Sequence, residues 1–331
     1  MDTVLMTNLR YYGTANTKFN VRENEAMNEM TRRGFLGTAG MAAVAPTVRV
    51  IAPAPGSIEK NIVYGKAGNT ELHLDIYKPA DISQKRMAMI HIHGGGFTAG
   101  SKDGLGDRVA PFVALGYVAI PVQYRLAGEA KWPAQIEDVK AAIRWARANA
   151  KSLGVDEDRI AVVGYSAGGH LALFAAGTCD RPEFEGKNGT PGVSTKLAAC
   201  CAYYPATETR PRPDGTANVL MPAGADAAAH RAASPLTYVA KGFPPTVIFH
   251  GTADVTIPIE SSEHLFKQFR EVQVPSEFHA FEGVPHAFDS NPEFAKTCAE
   301  LSDFFIDRKV LHPRTYPPFG GGGGARGRGG Q

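Results

Sequence analysis

Cysteine is scarce in this chain of 331 residues: four in all, at 179, 200, 201 and 298. They are too few and too scattered for a zinc site or a disulfide framework, so free buried thiols are favoured over a bridge. Cys200 and Cys201 are adjacent in an apolar run, and on a strand they would face opposite sides. No apolar run reaches the ~18 residues a membrane helix needs, which leaves no expectation of membrane insertion. Charge of one sign is not in excess either. With 35 basic and 33 acidic side chains the formal net charge is +2, which gives no electrostatic argument for a nucleic-acid partner. There is no internal repeat, and nothing calls for a metal or a cofactor.

The two ends differ from the middle. Near the start stands "MTRRGFLGTAGMAAVAP", an arginine pair followed by Phe35, Leu36 and small apolar residues up to Ala45. Arg32–Arg33 resembles the twin-arginine export signal, so residues 1–56 are read as an N-terminal extension and the protein as exported, or cytoplasmic if the signal does not act. A short amphipathic helix is the alternative. The polar prelude 1–29 and Arg49 fit an export signal poorly, and a start at Met30 would remove the first difficulty. No cysteine lies near the signal, which argues against a lipid anchor. At the other end, "PPFGGGGGARGRGGQ" cannot build a core, so 312–331 reads as a disordered tail.

Between the ends, apolar runs alternate with helical patterns. Strands are predicted in "LHLDIYKP", "MAMIHIH", "YVAIPVQY", "RIAVVGYS", "KLAACCAYYP", "PTVIFHG" and "SEFHAFEG". Helices are predicted after Asp103, from Pro133 to Ser152, after Ser166, from Pro258 to Arg270 and from Pro292 to Asp307. In the second of these, Ile136, Val139, Ile143 and Ala146 recur at helical spacing. Alternation of this kind implies an α/β domain over 57–311, its mostly parallel sheet covered on both faces.

Within that domain, "RIAVVGYSAGGHLA" puts Ser166 between a strand and a helix, with Gly164 and Gly168 permitting a sharp turn. That is the pattern of a nucleophile elbow; a structural serine at a helix N-cap is the bland reading. A serine hydroxyl needs an oriented base, and in this fold the order is Ser, acid, His. Asp254 follows the strand "PTVIFHG", and His286 lies in the loop "EGVPHAF" after the next strand. Asp289 and Asp226 are the alternative acids. His91 and His279 lie inside apolar runs, and His250 precedes Asp254 and so has the wrong order. Activity should fall as pH drops below about 6–7, where the base becomes protonated.

The strand "MAMIHIH" leads into His93-Gly94-Gly95-Gly96. Such a loop can offer backbone N–H groups to a tetrahedral oxyanion, with Ala167 after the nucleophile supplying another; side chains on the glycines would block the approach. The donors are therefore assigned to Gly94, Gly95 and Ala167. A phosphate-binding loop is the competitor, but neither the Gly-Lys-Ser/Thr ending nor the Gly-x-Gly-x-x-Gly spacing is present.

Taken together, "HGGGF", "YRLAGEAKWPAQIEDVKAAIRW", "DRIAVVGYSAGGHLA", "SPLTYV", "HGTAD" and "PHAF" resemble the hormone-sensitive-lipase-like esterases, especially the bacterial BD-FAE-type branch of feruloyl and acetyl esterases. The resemblance spans about 60–307 and implies an α/β-hydrolase fold and a serine carboxylic-ester hydrolase that acts through an acyl-enzyme. The Gly-Tyr-Ser-Ala-Gly elbow departs from the Gly-Asp-Ser-Ala-Gly usual in the hormone-sensitive branch. An amidase or peptidase on the same machinery, such as a kynurenine-formamidase-like enzyme, is the alternative, and a binding module on a dead hydrolase fold is a third. The implied partner is a small-molecule or saccharide ester. A small cap is expected at 207–234, where Val219, Leu220 and Met221 form the one bulky apolar cluster. So little apolar wall suits short acyl or feruloyl-type esters better than palmitoyl esters.

Overall fold

The structure, a computed structural model, describes residues 56–81, 85–210 and 218–316. The expected export signal and the glycine-arginine tail from 317 onward lie outside the described residues, as do 211–217 of the expected cap. An eight-stranded sheet organises the chain: β1 (Ser57–Ala67), β2 (Thr70–Lys78), β3 (Ala88–Ile92), β4 (Val118–Val122), β5 (Ile160–Tyr165), β6 (Ala199–Tyr203), β7 (Thr246–Gly251) and β8 (Ser276–Phe281). Their spatial order is β1-β2-β4-β3-β5-β6-β7-β8. From β3 to β8 the pairing is parallel, while β1 and β2 are antiparallel to their neighbours. This is the α/β-hydrolase architecture.

Five helices cover the sheet: α1 (Gly106–Ala114), α2 (Ala134–Ala148), α3 (Ala167–Gly177), α4 (Glu260–Glu271) and α5 (Pro292–Ile306). Two apolar layers divide them. Ile136, Val139 and Ile143 of α2, Leu171 and Phe174 of α3 and Leu265 of α4 join Ile90, Ile92 and Ile248 on one face. Val109 and Phe112 of α1 and Cys298 and Phe305 of α5 join Met89, Val163 and Phe249 on the other. Central strands are buried on both sides, which is why they read as unbroken apolar runs. Cys200 enters the first layer and Cys201 the second, as alternation on a strand requires. All four cysteines are free thiols; Cys179 is only half-buried.

β1 was not predicted. It is an edge strand whose Ile58 and Val63 are exposed; Tyr64 is buried, and Ile62 and Ala67 pack half-buried against the core. Register shifts between Glu59 and Ile62 and between Val63 and Gly65 break the two-residue period that sequence reading relies on. Asn61, at φ 57°, makes the first of these bends, and its N–H donates to the buried Asp75 carboxylate.

Among the described residues, no helix is long and apolar enough to cross a membrane.

Candidate active site

Ser166 stands between β5 and α3 at φ 56° and ψ −114°, a left-handed conformation that costs a residue with a side chain about 1–3 kcal/mol. The strain is held by close packing. A Cβ on Gly164 would lie 2.1 Å from the Gly168 carbonyl oxygen, and one on Gly168 would lie 2.0 Å from that of Ile92. Only glycine lets α3 sit this tightly on β3 and β5. The helix beneath is buried from Ala167 through Ala176, so it is a fixed post rather than a surface element.

His286, in the loop after β8, meets Ser166 across the sheet edge. Its Nε2 lies 2.9 Å from Ser166 Oγ, and its Nδ1 lies 2.6 Å from Asp254 Oδ2. A carboxylate only accepts, so Nδ1 carries the hydrogen and Nε2 is left to accept from the serine hydroxyl. Asp254 Oδ1 accepts from the N–H groups of Thr256 at 2.8 Å and Ile257 at 2.9 Å. Burial pushes the Asp254 carboxyl up, but the Ile257 N–H, the His286 ring and the Thr256 N–H outweigh it and leave the group below the ordinary aspartate value.

The alternative acids stand elsewhere. Asp226 caps a short helix, accepting from the Ala229 N–H at 2.8 Å. Asp289 is buried and takes the Arg108 Nε–H at 2.6 Å and the Tyr204 hydroxyl. Of the two histidines in apolar runs, His91 is a core residue whose Nδ1 lies 3.2 Å from the Tyr165 hydroxyl, and His279 is a half-buried strand residue that stacks on Phe249.

His250 has more to do with the site than its place in the sequence suggested. Its Nε2–H donates to the Ile257 carbonyl at 2.9 Å and lies 3.2 Å from Asp254 Oδ2, while Nδ1 accepts from the Ser262 hydroxyl at 2.7 Å. It thus braces the 254–257 turn. Burial holds its pKa below the ordinary histidine value. Tyr204, also not singled out from sequence, sets its ring edge-on to His286 with centroids 4.4 Å apart. An aromatic residue just after a strand at the carboxyl edge was the available signal for it.

The N–H groups of Gly94, Gly95 and Ala167 donate to no protein acceptor among the described residues, and Gly94 and Gly95 join Ser166 and His286 around a cavity of 430 Å³. The structure adds a second reason for the glycines. A Cβ on Gly94 would meet the Tyr165 carbonyl at 2.8 Å, and one on Gly95, at φ +111°, would meet that of Ala99 at 2.2 Å. They are needed to seat the loop against the elbow and itself. Gly96 has φ +60° with nothing within 4 Å, so it serves backbone conformation alone.

The BD-FAE family profile matches residues 74–269, more than half of the chain. The chain belongs to the BD-FAE family of α/β-hydrolase esterases. Among similar proteins of known structure is the thermophilic esterase Est2 from the planctomycete Thermogutta terrifontis, determined with propionate bound; it is 31% identical, with 80% of this chain and 98% of that one covered and a TM-score of 0.67. A truncated carbohydrate esterase from gut microbiota is 26% identical, with 75% and 98% covered and a TM-score of 0.64. The probable carboxylic ester hydrolase LipM of Mycobacterium tuberculosis is 30% identical over 263 residues, 75% of this chain; the match spans 60% of the length of LipM. Among the described residues, no group of three or more His, Cys, Asp or Glu is placed to hold a metal ion.

Proposed function

We propose that this BD-FAE protein is a serine carboxylic-ester hydrolase with Ser166, His286 and Asp254 as its catalytic residues. The observation that carries the reading is His286 spanning Ser166 and Asp254 at hydrogen-bond distance on both sides. In acylation, Ser166 Oγ attacks the ester carbonyl carbon while its proton passes to His286 Nε2. The tetrahedral oxyanion takes N–H donation from Gly94, Gly95 and Ala167. Collapse expels the alcohol, which receives the proton from Nε2, and leaves an acyl-Ser166. Water then repeats the sequence: it gives its proton to Nε2, attacks the acyl carbon, and the acid departs as Ser166 regains its proton. Asp254 stays ionised and stabilises the imidazolium, consistent with its lowered pKa.

The substrates fitting this reading are short-chain acyl esters, feruloyl esters or acetylated sugars. No described residue of 207–234 lines the cavity. Leu220 and Met221, the apolar residues that could have walled an acyl chain, are buried in the first core layer, with the Leu220 carbonyl accepting from the Trp132 N–H. Names carried by relatives, an esterase with propionate bound and a carbohydrate esterase, point the same way. The Arg32–Arg33 pair supports export, and changing both to lysine should then retain the precursor in the cytoplasm.

The direct test is Ser166→Ala. Turnover of p-nitrophenyl butyrate should fall by about three orders of magnitude or more with the circular dichroism spectrum unchanged. A folded variant with near-normal turnover would overturn the assignment. A rate that climbs with chain length up to palmitate would overturn the short-acyl reading.

A further inference from the structure

One charged group in the cavity has no place in the proton transfers above. Arg108, from the first turn of α1, lines the cavity beside Ser166 and His286, with its side chain 19% exposed. Its Nε–H donates to Asp289 Oδ2 at 2.6 Å and one Nη2–H reaches Oδ1 at 3.5 Å. That uses one edge of the guanidinium. Both Nη1 hydrogens and the second on Nη2 have no hydrogen-bond acceptor among the described residues. The plane of the group is set by Asp289 on one side and by the Tyr165 ring, 5.4 Å from Cζ, on another.

The neighbouring tyrosine hydroxyls do not take these hydrogens. Tyr204 gives its hydroxyl to Asp289, and the Tyr165 hydroxyl lies against His91 Nδ1, so both line the cavity with ring rather than oxygen. Asp289 is 1% exposed and out of a ligand's reach. The cavity wall therefore includes unused donors beside aromatic and glycine residues.

We propose that Arg108 forms a donor subsite that selects esters carrying a neutral oxygen acceptor, an ether, hydroxyl or carbonyl oxygen, in the half of the ester lodged in this cavity. The proposal rests on the ester-hydrolase reading and names what that site prefers. Charge balance decides for a neutral acceptor over a carboxylate. The Arg108 charge is already matched by Asp289, Asp254 leaves the site one negative charge in excess, and an oxyanion must form a few ångströms away. A ligand anion would add to that excess without a free counter-charge.

The experiment is a comparison of kcat/KM for matched esters on the purified full chain. One pair varies the acyl side, p-nitrophenyl methoxyacetate against p-nitrophenyl butyrate; the other varies the alcohol, 2-methoxyethyl butyrate against butyl butyrate. Each replaces a methylene by oxygen, and intrinsic reactivity cancels when a variant's ratio is divided by that of the wild type. In Arg108→Lys, which keeps the charge but loses the fork, the oxygen-to-methylene ratio should fall about tenfold in one pair. In Asp289→Asn, which keeps the guanidinium, it should stay within about threefold. If Arg108→Lys does not fold, the double variant Arg108→Met with Asp289→Asn, which leaves no unpaired charge, should show the same loss. Ratios unchanged in the Arg108 variants, or lost equally in Asp289→Asn, overturn the subsite and make Arg108 structural. A p-nitrophenyl hemisuccinate cleaved faster than butyrate through Arg108 overturns the choice of a neutral acceptor. A wild type that cleaves none of the esters overturns the hydrolase reading itself, and the subsite with it.

Discussion

Asp254 and Asp289 are both buried aspartates, one before His286 in the chain and one after, yet they are held by different kinds of partner. Asp254 receives two backbone N–H groups on one oxygen and the His286 ring on the other. Asp289 receives a guanidinium and a phenol. The first arrangement keeps a carboxylate charged while leaving it dependent on an imidazole, so charge appearing on that imidazole is stabilised where it forms. The second closes on itself: Arg108 already neutralises Asp289, and its Tyr204 partner meets His286 only through an edge-on ring contact. On the proposed mechanism, one aspartate serves a proton transfer while the other holds a wall and the loop that follows His286.

The sharpest way to break this contrast is to neutralise each in turn. Asp254→Asn should lower kcat by about 10³–10⁴ with KM little changed, because the amide no longer holds Nδ1–H and the reactive tautomer is lost. Asp289→Asn should lower kcat less than about tenfold and instead cost about 1–3 kcal/mol of unfolding free energy, since Arg108 loses its counter-charge. Exchanged outcomes, read from steady-state kinetics and urea unfolding, would exchange the assignments.

A smaller effect is expected from His250→Asn. Asp254 keeps its three other donors, but the 254–257 turn loses the bond to the Ile257 carbonyl, so kcat should drop roughly tenfold with KM retained. An undiminished kcat in a folded variant would show that the turn needs no brace.

The smallest effect separates the aspartate from the histidines by pH. Burial pushes His91 down to about 3 and His170 down to about 4, and lowers His93, His250 and His279 as well. The unfolded chain binds protons that the fold refuses, so stability is greatest above the unfolded histidine value of about 6.5 and falls as pH drops below it. Each such histidine adds up to about 1.4 kcal/mol per pH unit. Asp254 is shifted the same way but from a lower starting point, so its contribution is present above the ordinary carboxyl value and is lost only as pH falls through its own. Urea unfolding between pH 7.5 and 4.5 should therefore show a shallower slope in His91→Gln and an unaltered slope in Asp254→Asn. A flattened slope in the aspartate variant would place its titration where the structure does not.

Much of this was available from the sequence, for a physical reason. A strand buried on both faces must be apolar throughout, a helix against it must repeat at helical spacing, and a strained serine turn under close packing admits only glycine at 164 and 168; each constraint acts on neighbours in the chain and so leaves a local pattern. Chain order and loop position singled out Asp254 and His286, and the fold brings His286 within hydrogen-bond distance of both Asp254 and Ser166. What sequence could not supply depends on partners far apart in the chain. β1 was missed because its bulges erase the two-residue period and two of its apolar residues, Ile58 and Val63, face outward. His250 bracing the acid's turn, Tyr204 against His286, and Leu220 and Met221 turned into the core are decided by packing between distant segments. So is the choice between two aspartates: Arg108, 181 residues from Asp289, takes that carboxylate out of contention and leaves Asp254 to His286, a matter of which side chains the folded sheet edge brings within 3 Å of one another.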